Sequence, residues 1–196
     1  MSTNRPSWRV VGPAGRVVVP WANGLGTTAV VAREPDDDAW TWRLSLADVV
    51  EDGPFSSLPG VDRWIAVARG GRMELSLEGV PSCSLDVGGE AFAFSGDAST
   101  SCRVADGPLV DVNLMLRRGS ATGSMTIVPV AAGDVLTADD VRAVVALSGR
   151  VRVGVDGGDH DLDGDSLDAL VGASSASIVV RAVVASRIAL VRVARA

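Results

Sequence analysis

The sequence has no lysine, glutamine or tyrosine, one histidine (His160) and two cysteines (Cys83 and Cys102). Without lysine, Schiff-base chemistry and a lysine general base are excluded. A single histidine excludes a histidine-rich metal site, and its position in a predicted turn argues against a Ser-His-Asp triad. Two cysteines are too few for a disulfide framework and are typical of reduced thiols in the cytoplasm. We therefore expect no metal ion, no cofactor and no catalytic nucleophile.

Basic patches and long apolar runs are also missing. The 18 basic residues are all arginine, and 24 acidic residues outnumber them, which gives a net charge of −6 and a pI near 4.7. This balance provides no basic stripe for nucleic acid. No apolar run approaches the roughly 18 residues of a membrane span, and the segment MSTNRPSWRV has no apolar signal-peptide region. The expectation is a cytoplasmic protein without a nucleic-acid or membrane partner.

Short apolar segments between turns dominate the chain. Hydrophobic residues make up 47% of it, and 22 glycines with 9 prolines supply the turns, which predicts an all-β fold. Helical signals occur only at Ser45–Val50 and at Thr137–Val141, where Thr137 is a candidate N-cap with Asp140 three residues later. The predicted strands are Arg16–Val19, Trp40–Leu46, Arg63–Ala68, Met73–Leu77, Ala91–Phe94, Val110–Leu116, Ala143–Leu147, Arg150–Val155, Ser177–Val184 and Ile188–Val193.

An internal repeat organises this pattern. Val67–Gly79 aligns without gaps on Val145–Gly157, and both segments read as strand, Gly-Arg turn, strand, then an acidic residue and glycine. Repetition of one hairpin predicts two copies of one β module. Antiparallel modules of this size suit small jelly-roll barrels of the cupin kind. We predict a bicupin with an N-terminal barrel over residues 1–118 and a smaller barrel over 119–196, joined by a linker at Gly119–Gly123.

Two strands alternate between apolar and polar side chains. In Trp42–Asp48, Arg43 and Ser45 face away from the apolar side, and in Val112–Arg117 the polar side carries Asn113, Met115 and Arg117. Periodicity alone favours two half-solvated strands. The alternative is that both polar faces line a barrel interior, where they suit a small carboxylate ligand.

Arg63 follows a long turn-rich segment, Asp52–Asp62, and precedes an apolar strand. A guanidinium at that position can clamp a carboxylate bidentately at a barrel mouth. It can equally form a weak surface ion pair with Asp62 or Asp52.

Two further motifs have ordinary interpretations. Pro20–Thr28 contains Gly-x-Gly but lacks the third glycine and the βαβ context of a dinucleotide fingerprint, so we predict a tight loop near a pocket with Asn23 available for hydrogen bonding. Asp159–Asp165 resembles the start of a calcium loop, but Leu170 stands where a glutamate is required. It is interpreted as an acidic hairpin turn.

Five segments of the chain form an ordered set of motifs: PWANGLGTT (20–28), WRLSLADV (42–49), DGPFSSLPGVDR (52–63), FSGD (94–97) and DGPLVDVNLMLRR (106–118). Together and in this order they resemble the HutD/Ves family of histidine-utilisation proteins. The resemblance implies a bicupin without the cupin metal site and a regulatory, ligand-sensing role in histidine catabolism, with urocanate, N-formylglutamate or formate as ligands. By position in the family motifs it implies a pocket arginine at Arg63. The other pocket residues it implies are Asn23, Arg43, Ser45, Asn113 and Met115.

The first motif departs from the family pattern. Ala22 replaces a lysine, Leu25 a glycine and Val30 a glutamate, and the loss of one cation and one anion bears on ligand preference.

Three functions are compatible with these residues. The leading hypothesis is a regulatory protein that binds a small carboxylate and catalyses nothing itself, with a homodimer as a further expected arrangement. The second is a metal-independent cupin isomerase or lyase that uses Asp48 with Arg63. The third is a protein-interaction module, which predicts an exposed apolar patch.

Overall fold

The regular structure is almost entirely β in the computed structural model, which describes residues 8–21 and 26–196. Apart from one-turn 3₁₀ segments at Pro13–Gly15 and Gly164–Ser166, the described residues contain no helix, and thus none suited to crossing a bilayer. The all-β prediction is confirmed. The strands are β1 (Trp8–Val11), β2 (Val17–Pro20), β3 (Gly26–Glu34), β4 (Trp42–Val49), β5 (Gly53–Pro54), β6 (Val61–Leu77), β7 (Val80–Leu85), β8 (Phe92–Ser95), β9 (Thr100–Arg117), β10 (Ala121–Val130), β11 (Val135–Ser148), β12 (Arg150–Val155), β13 (Gly158–Asp163), β14 (Ala169–Ala182) and β15 (Ser186–Arg195).

The N-terminal unit comprises residues 16–127 with 194–196. Its sheet has the order β2-β3-β4-β9-β6-β7, and the short strands β5 and β8 pair with β9 and β6. All of these pairings are antiparallel. Its core lies over β6 and β9, where Ile65, Met73 and Leu75 have no exposed surface.

The C-terminal unit comprises residues 8–15 and 128–193. Strands β15, β11, β14, β12 and β13 are neighbours in that order, and β1 pairs with β14. The predicted module boundaries placed residues 1–118 together. In the structure residues 8–15 group with the second unit, because Trp8–Val11 pairs antiparallel with Ala169–Gly172. The predicted linker is a turn at residues 118–120, and the chain is already in β10 from Ala121.

The repeated segments form equivalent hairpins. Glu78-Gly79 connects β6 to β7, and Asp156-Gly157 connects β12 to β13, at aligned positions of the repeat. Asp156 and Gly157 both have positive φ, as a type I′ hairpin turn requires, whereas in the β6–β7 turn only Gly79 does. The Gly-Arg turn predicted at Gly71-Arg72 is instead part of a register shift within the continuous strand β6.

Both helical predictions are wrong. Ser45–Val49 continues β4, where it pairs with β3 on one side and β9 on the other. Thr137–Val141 lies in β11, and a bulge with Asp140 at φ 57° occupies the place of the predicted capped turn. In each case hydrogen bonding to long neighbouring strands outweighs the preference for a single helical turn that the local sequence indicates.

Most of the acidic segment at 159–165 is a strand rather than a hairpin turn, and its last two residues begin a 3₁₀ turn. Asp159–Asp163 belongs to β13, where Asp161 receives hydrogen bonds of 2.6 and 3.0 Å from the Arg152 guanidinium. The spacing of the aspartates in this segment therefore reflects cross-strand charge pairing on an exposed hairpin.

Candidate functional site

Three neighbouring strands of the N-terminal unit place their alternate residues on one face. Strand β9 runs between β4 and β6, so the residues opposite one another across the three strands form rungs. Successive same-face residues along a strand are about 7 Å apart. The rungs are Arg43–Met115–Arg63, then Ser45–Asn113–Ile65, then Ala47–Asp111–Val67.

A cavity of about 600 Å³ lies over the β4–β9 part of this face. Its lining includes Arg43, Ser45, Arg63, Asn113 and Met115, five of the six residues expected at a pocket, whereas Asn23 falls outside the described residues. Ser45, Asn113 and Met115 are 2%, 4% and 5% exposed, so the half-solvated interpretation of β4 and β9 is wrong. The remaining lining residues are Val19, Pro20, Trp21, Thr28, Val30, Arg33, Asp38, Ala47, Pro54, Phe55, Ser56, Leu58 and Asp111.

Arg63 is buried between two aromatic rings. Its guanidinium carbon lies 5.1 Å from the centroid of Phe55 and 4.9 Å from that of Phe94, within cation–π range. Only 5% of the residue is exposed, and its Nε has no hydrogen-bond partner among the described residues. Burial lowers the pKa of Arg63 to about 10, although the charge of Asp111 opposes this change. The surface ion pair considered from the sequence is absent within the described part of the chain, because Asp62 pairs with Arg118.

The segment before Arg63 is fixed by main-chain hydrogen bonds. Gly53 and Pro54 pair with β9, and the amide of Phe55 donates to the carbonyl of Thr100 at 2.9 Å. Further along, the amide of Leu58 donates to the carbonyl of Gly96 at 2.8 Å. These bonds hold the Phe55 ring over the guanidinium of Arg63.

Arg43 lies across Met115 from Arg63. Its Nη2 donates to the Met115 sulfur at 3.0 Å, and its guanidinium carbon is 5.2 Å from the centroid of Trp40. The buried Nε of Arg43 lacks an acceptor within residues 8–21 and 26–196. Burial, and secondarily the positive charge of Arg33, lower the pKa of Arg43.

The next residue in this row, Arg33 on β3, is neutralised differently. It pairs with Arg43 across the strands, but its guanidinium bonds Asp36 at 3.1 Å and Asp38 at 3.2 Å. Among the described residues, no carboxylate forms such an ion pair with Arg43 or Arg63. The rung Arg43–Met115–Arg63, here called the arginine rung, therefore contains two desolvated guanidinium cations. No described carboxylate contacts either of them to compensate its charge.

Trp21 contributes a second aromatic wall. Its Nε1 donates to Thr28 Oγ1 at 2.8 Å, and the indole meets Phe55 edge-on at a centroid distance of 6.5 Å. Gly26 is required here, because a Cβ at that position would overlap the carbonyl oxygen of Asp48 and touch Trp21. Trp21 and Thr28 line the cavity, whereas residues 22–25 of the predicted tight loop lie outside the described residues.

A model of the HutD family matches residues 16–190 of the chain. The chain belongs to the HutD family. An uncharacterized 21.2 kDa protein from the hutC 3′ region of Pseudomonas putida is 41% identical over 99 residues, which are 50% of this chain and 52% of that protein. Protein Ves of Citrobacter koseri is 35% identical over 101 residues, 50% and 52% of the two chains. The chain thus spans about half the length of these relatives.

Solved structures extend the similarity over nearly the full chain. HutD from Pseudomonas fluorescens SBW25, solved in a formate condition, has a TM-score of 0.75 and 28% identity, with 96% of this chain and 99% of that chain covered. A cupin 2 conserved barrel domain protein from Leptotrichia buccalis, at 14% identity and a TM-score of 0.60 over 95% and 96% of the chains, shares the fold alone. The HutD/Ves resemblance and the bicupin fold are confirmed.

Sequence reasoning missed Asp111, a buried carboxyl group on the wall of this cavity. Asp111 is 1% exposed, its Oδ1 has no hydrogen-bond partner within the described chain, and burial raises its pKa to about 7 against the lowering effect of Arg63. The signal was available, because Asp111 precedes Asn113 and Met115 at the same spacing of two. The aromatic residues Phe55 and Phe94 carried no such signal, since they reach Arg63 from other segments of the chain.

Asp48, the carboxylate of the enzyme hypothesis, lies elsewhere. It is exposed, alternates onto the opposite face from Ala47, and accepts a hydrogen bond of 2.8 Å from the Thr27 hydroxyl. It is not a lining residue of the cavity. Within the described chain, no three His, Cys, Asp or Glu side chains cluster as metal ligands would; the expected lack of a metal stays a prediction.

Proposed function

We propose that this HutD-family chain binds a small carboxylate in the cavity through Arg63 and Arg43. Its role is regulatory rather than catalytic, in the cytoplasm and linked to histidine catabolism. The observation that carries the proposal is the arginine rung, in which the buried Arg63 and the partly buried Arg43 have no carboxylate in contact among the described residues. Burying a cation without a counter-charge is unfavourable, and an anionic ligand restores the compensation.

The geometry of the rung suits a carboxylate. A guanidinium presents parallel N–H donors that match two carboxylate oxygens. Arg43 and Arg63 lie on the two strands that flank β9, each opposite Met115, so one anion between them is within reach of both. Each charge-assisted hydrogen bond contributes about 1.5–3 kcal/mol, and Ser45 and Asn113 offer further polar contacts one rung away.

The metabolic link rests on relatives. The Pseudomonas putida protein is from the hutC 3′ region, and the Pseudomonas fluorescens structure is of HutD in a formate condition. We therefore expect the ligand among small acids of histidine breakdown, and urocanate, N-formylglutamate and formate are the acids to test.

Calorimetric titration with these three acids tests the proposal. Arg63→Ala should weaken binding of the acid that binds best by about 10- to 100-fold, the equivalent of about 1.4–2.8 kcal/mol. Arg103→Ala is the matched control, because Arg103 is exposed and pairs with Glu74 outside the cavity. Equal affinity of wild type and Arg63→Ala would remove Arg63 from the site, and no saturable heat with any acid would refute this choice of ligands.

The enzyme alternative gains no support from position, since Asp48 does not line the cavity. A homodimer, which a single chain does not test, stays a prediction. So does Asn23 as a ligand contact.

A further inference from the structure

The cavity contains buried acceptors as well as buried cations. Oδ1 of Asp111 and Oδ1 of Asn113 are both buried, and neither receives a hydrogen bond from any described residue. Both residues line the cavity and are at most 4% exposed. A buried acceptor without a donor is unfavourable, and two of them on one wall suit a bound molecule that brings the donor.

The acceptors and the cations occupy different ends of the same wall. Asn113 and Asp111 are one and two same-face steps from Met115, so they lie about 7 and about 13 Å along β9 from the arginine rung. Arginine side chains only donate hydrogen bonds, whereas an ionised carboxylate only accepts them. The cavity therefore has an anion-binding end and a donor-binding end.

We propose that the ligand is a carboxylate that also carries an N–H donor, either an ammonium, an amide or an imidazole N–H, which Asp111 accepts while Arg63 and Arg43 hold the carboxylate. This inference rests on the proposed function and adds the second half of the ligand. A plain acid fills one end of the cavity, and a ligand with both groups satisfies both ends.

The charged groups around Asp111 agree with this assignment. On β6, Arg63 favours the ionised carboxylate, whereas burial and the charge of Asp48 on β4 favour the protonated form, and the balance leaves the pKa near 7. An N–H cation beside Asp111 would shift this balance toward the carboxylate. Binding of an amino acid near pH 6.5 should therefore release a proton, and binding of the corresponding plain acid should not.

Paired probes separate the two ends. Calorimetric titrations compare 4-aminobutyrate with butyrate, and 6-aminohexanoate with hexanoate, in wild type, Asp111→Asn and the control Asp48→Asn. In wild type and Asp48→Asn we expect the amino acid of at least one pair to bind about tenfold more tightly than its plain acid. In Asp111→Asn this advantage should vanish, while the plain acid should bind equally or more tightly because a negative charge has left the cavity.

The outcomes distinguish the two proposals. Plain acids that bind without any advantage for the amine, or an advantage that persists in Asp111→Asn, would overturn the donor end and leave the carboxylate site intact. Failure of both members of every pair to bind would overturn the carboxylate site and this inference with it. Proton release, measured in wild type in buffers of different ionisation enthalpy, tests the same claim should Asp111→Asn fail to fold, and its absence would overturn the donor end.

Discussion

Asp111→Asn should stabilise the protein increasingly as pH rises. The substitution keeps the size of the side chain and removes its ionisation. In the folded state burial raises the pKa of Asp111 from 3.8 to about 7, and the side chain is fully enclosed. The folded state therefore holds the Asp111 proton over a pH range in which the unfolded chain has lost it.

The sign and size follow from proton linkage. Below pH 3.8 both states are protonated and the group has no effect, between 3.8 and about 7 stability falls as pH rises, and above 7 the penalty is constant. Its plateau is about 4 kcal/mol, and from pH 5 to pH 8 it grows by about 3 kcal/mol. The attraction of Arg63 is already contained in this balance, because it lowers the pKa of Asp111.

Urea unfolding followed by tryptophan fluorescence at several pH values between 5 and 8 measures this effect. The stability of Asp111→Asn minus that of wild type should rise across the range, and the other titrating groups cancel in the difference. A flat or falling difference for Asp111→Asn would refute a buried, destabilised carboxylate in the cavity.

Two further predictions concern the scaffold. Gly149 has φ +71°, and a Cβ there would overlap the Ser186 side chain and the backbone before it, whereas Gly157 has φ +78° in open space. Gly157→Ala should lower the free energy of unfolding by about 1 kcal/mol, and Gly149→Ala should lower it by at least twice as much. Urea unfolding measures both values, and equal effects would contradict the packing around Gly149. Burial raises the pKa of the Cys102 thiol to about 12, while Cys83 is partly exposed. At pH 8 a thiol reagent should therefore modify Cys83 first and Cys102 only as fast as the unit unfolds, and rapid modification of native Cys102 would contradict its burial.

Local sequence patterns predicted many of the residues that line the cavity. The alternation in β4 and β9 identified Arg43, Ser45, Asn113 and Met115 as one kind of face, because a spacing of two is a property of any strand. Whether that face meets water depends on what covers it. Phe55, which lies over Arg63, belongs to a segment whose place is fixed by main-chain bonds to Thr100, 45 positions along the chain, and no local pattern encodes such a contact.

Register was equally beyond local reasoning. Arg63 stands opposite Met115 although 52 positions separate them, and the bulges in β6 and β11 shift the register of such pairings. The capping signal at Thr137 reflects local hydrogen bonding alone, and on that basis it indicates a helix. Pairing of this segment with β14 makes it a strand instead. The Asp111 carboxyl belongs to the same alternation as Asn113, since it stands two residues before it on β9.

In the proposed complex both guanidiniums of the arginine rung hold one carboxylate. A crystal structure of the protein with the tightest-binding acid from the calorimetric series would reveal this arrangement. We expect carboxylate oxygens within about 3 Å of guanidinium nitrogens of both Arg63 and Arg43, in the cavity over β4 and β9. An acid bound with its carboxylate at another site, or in the cavity with its carboxylate away from both arginines, would contradict it.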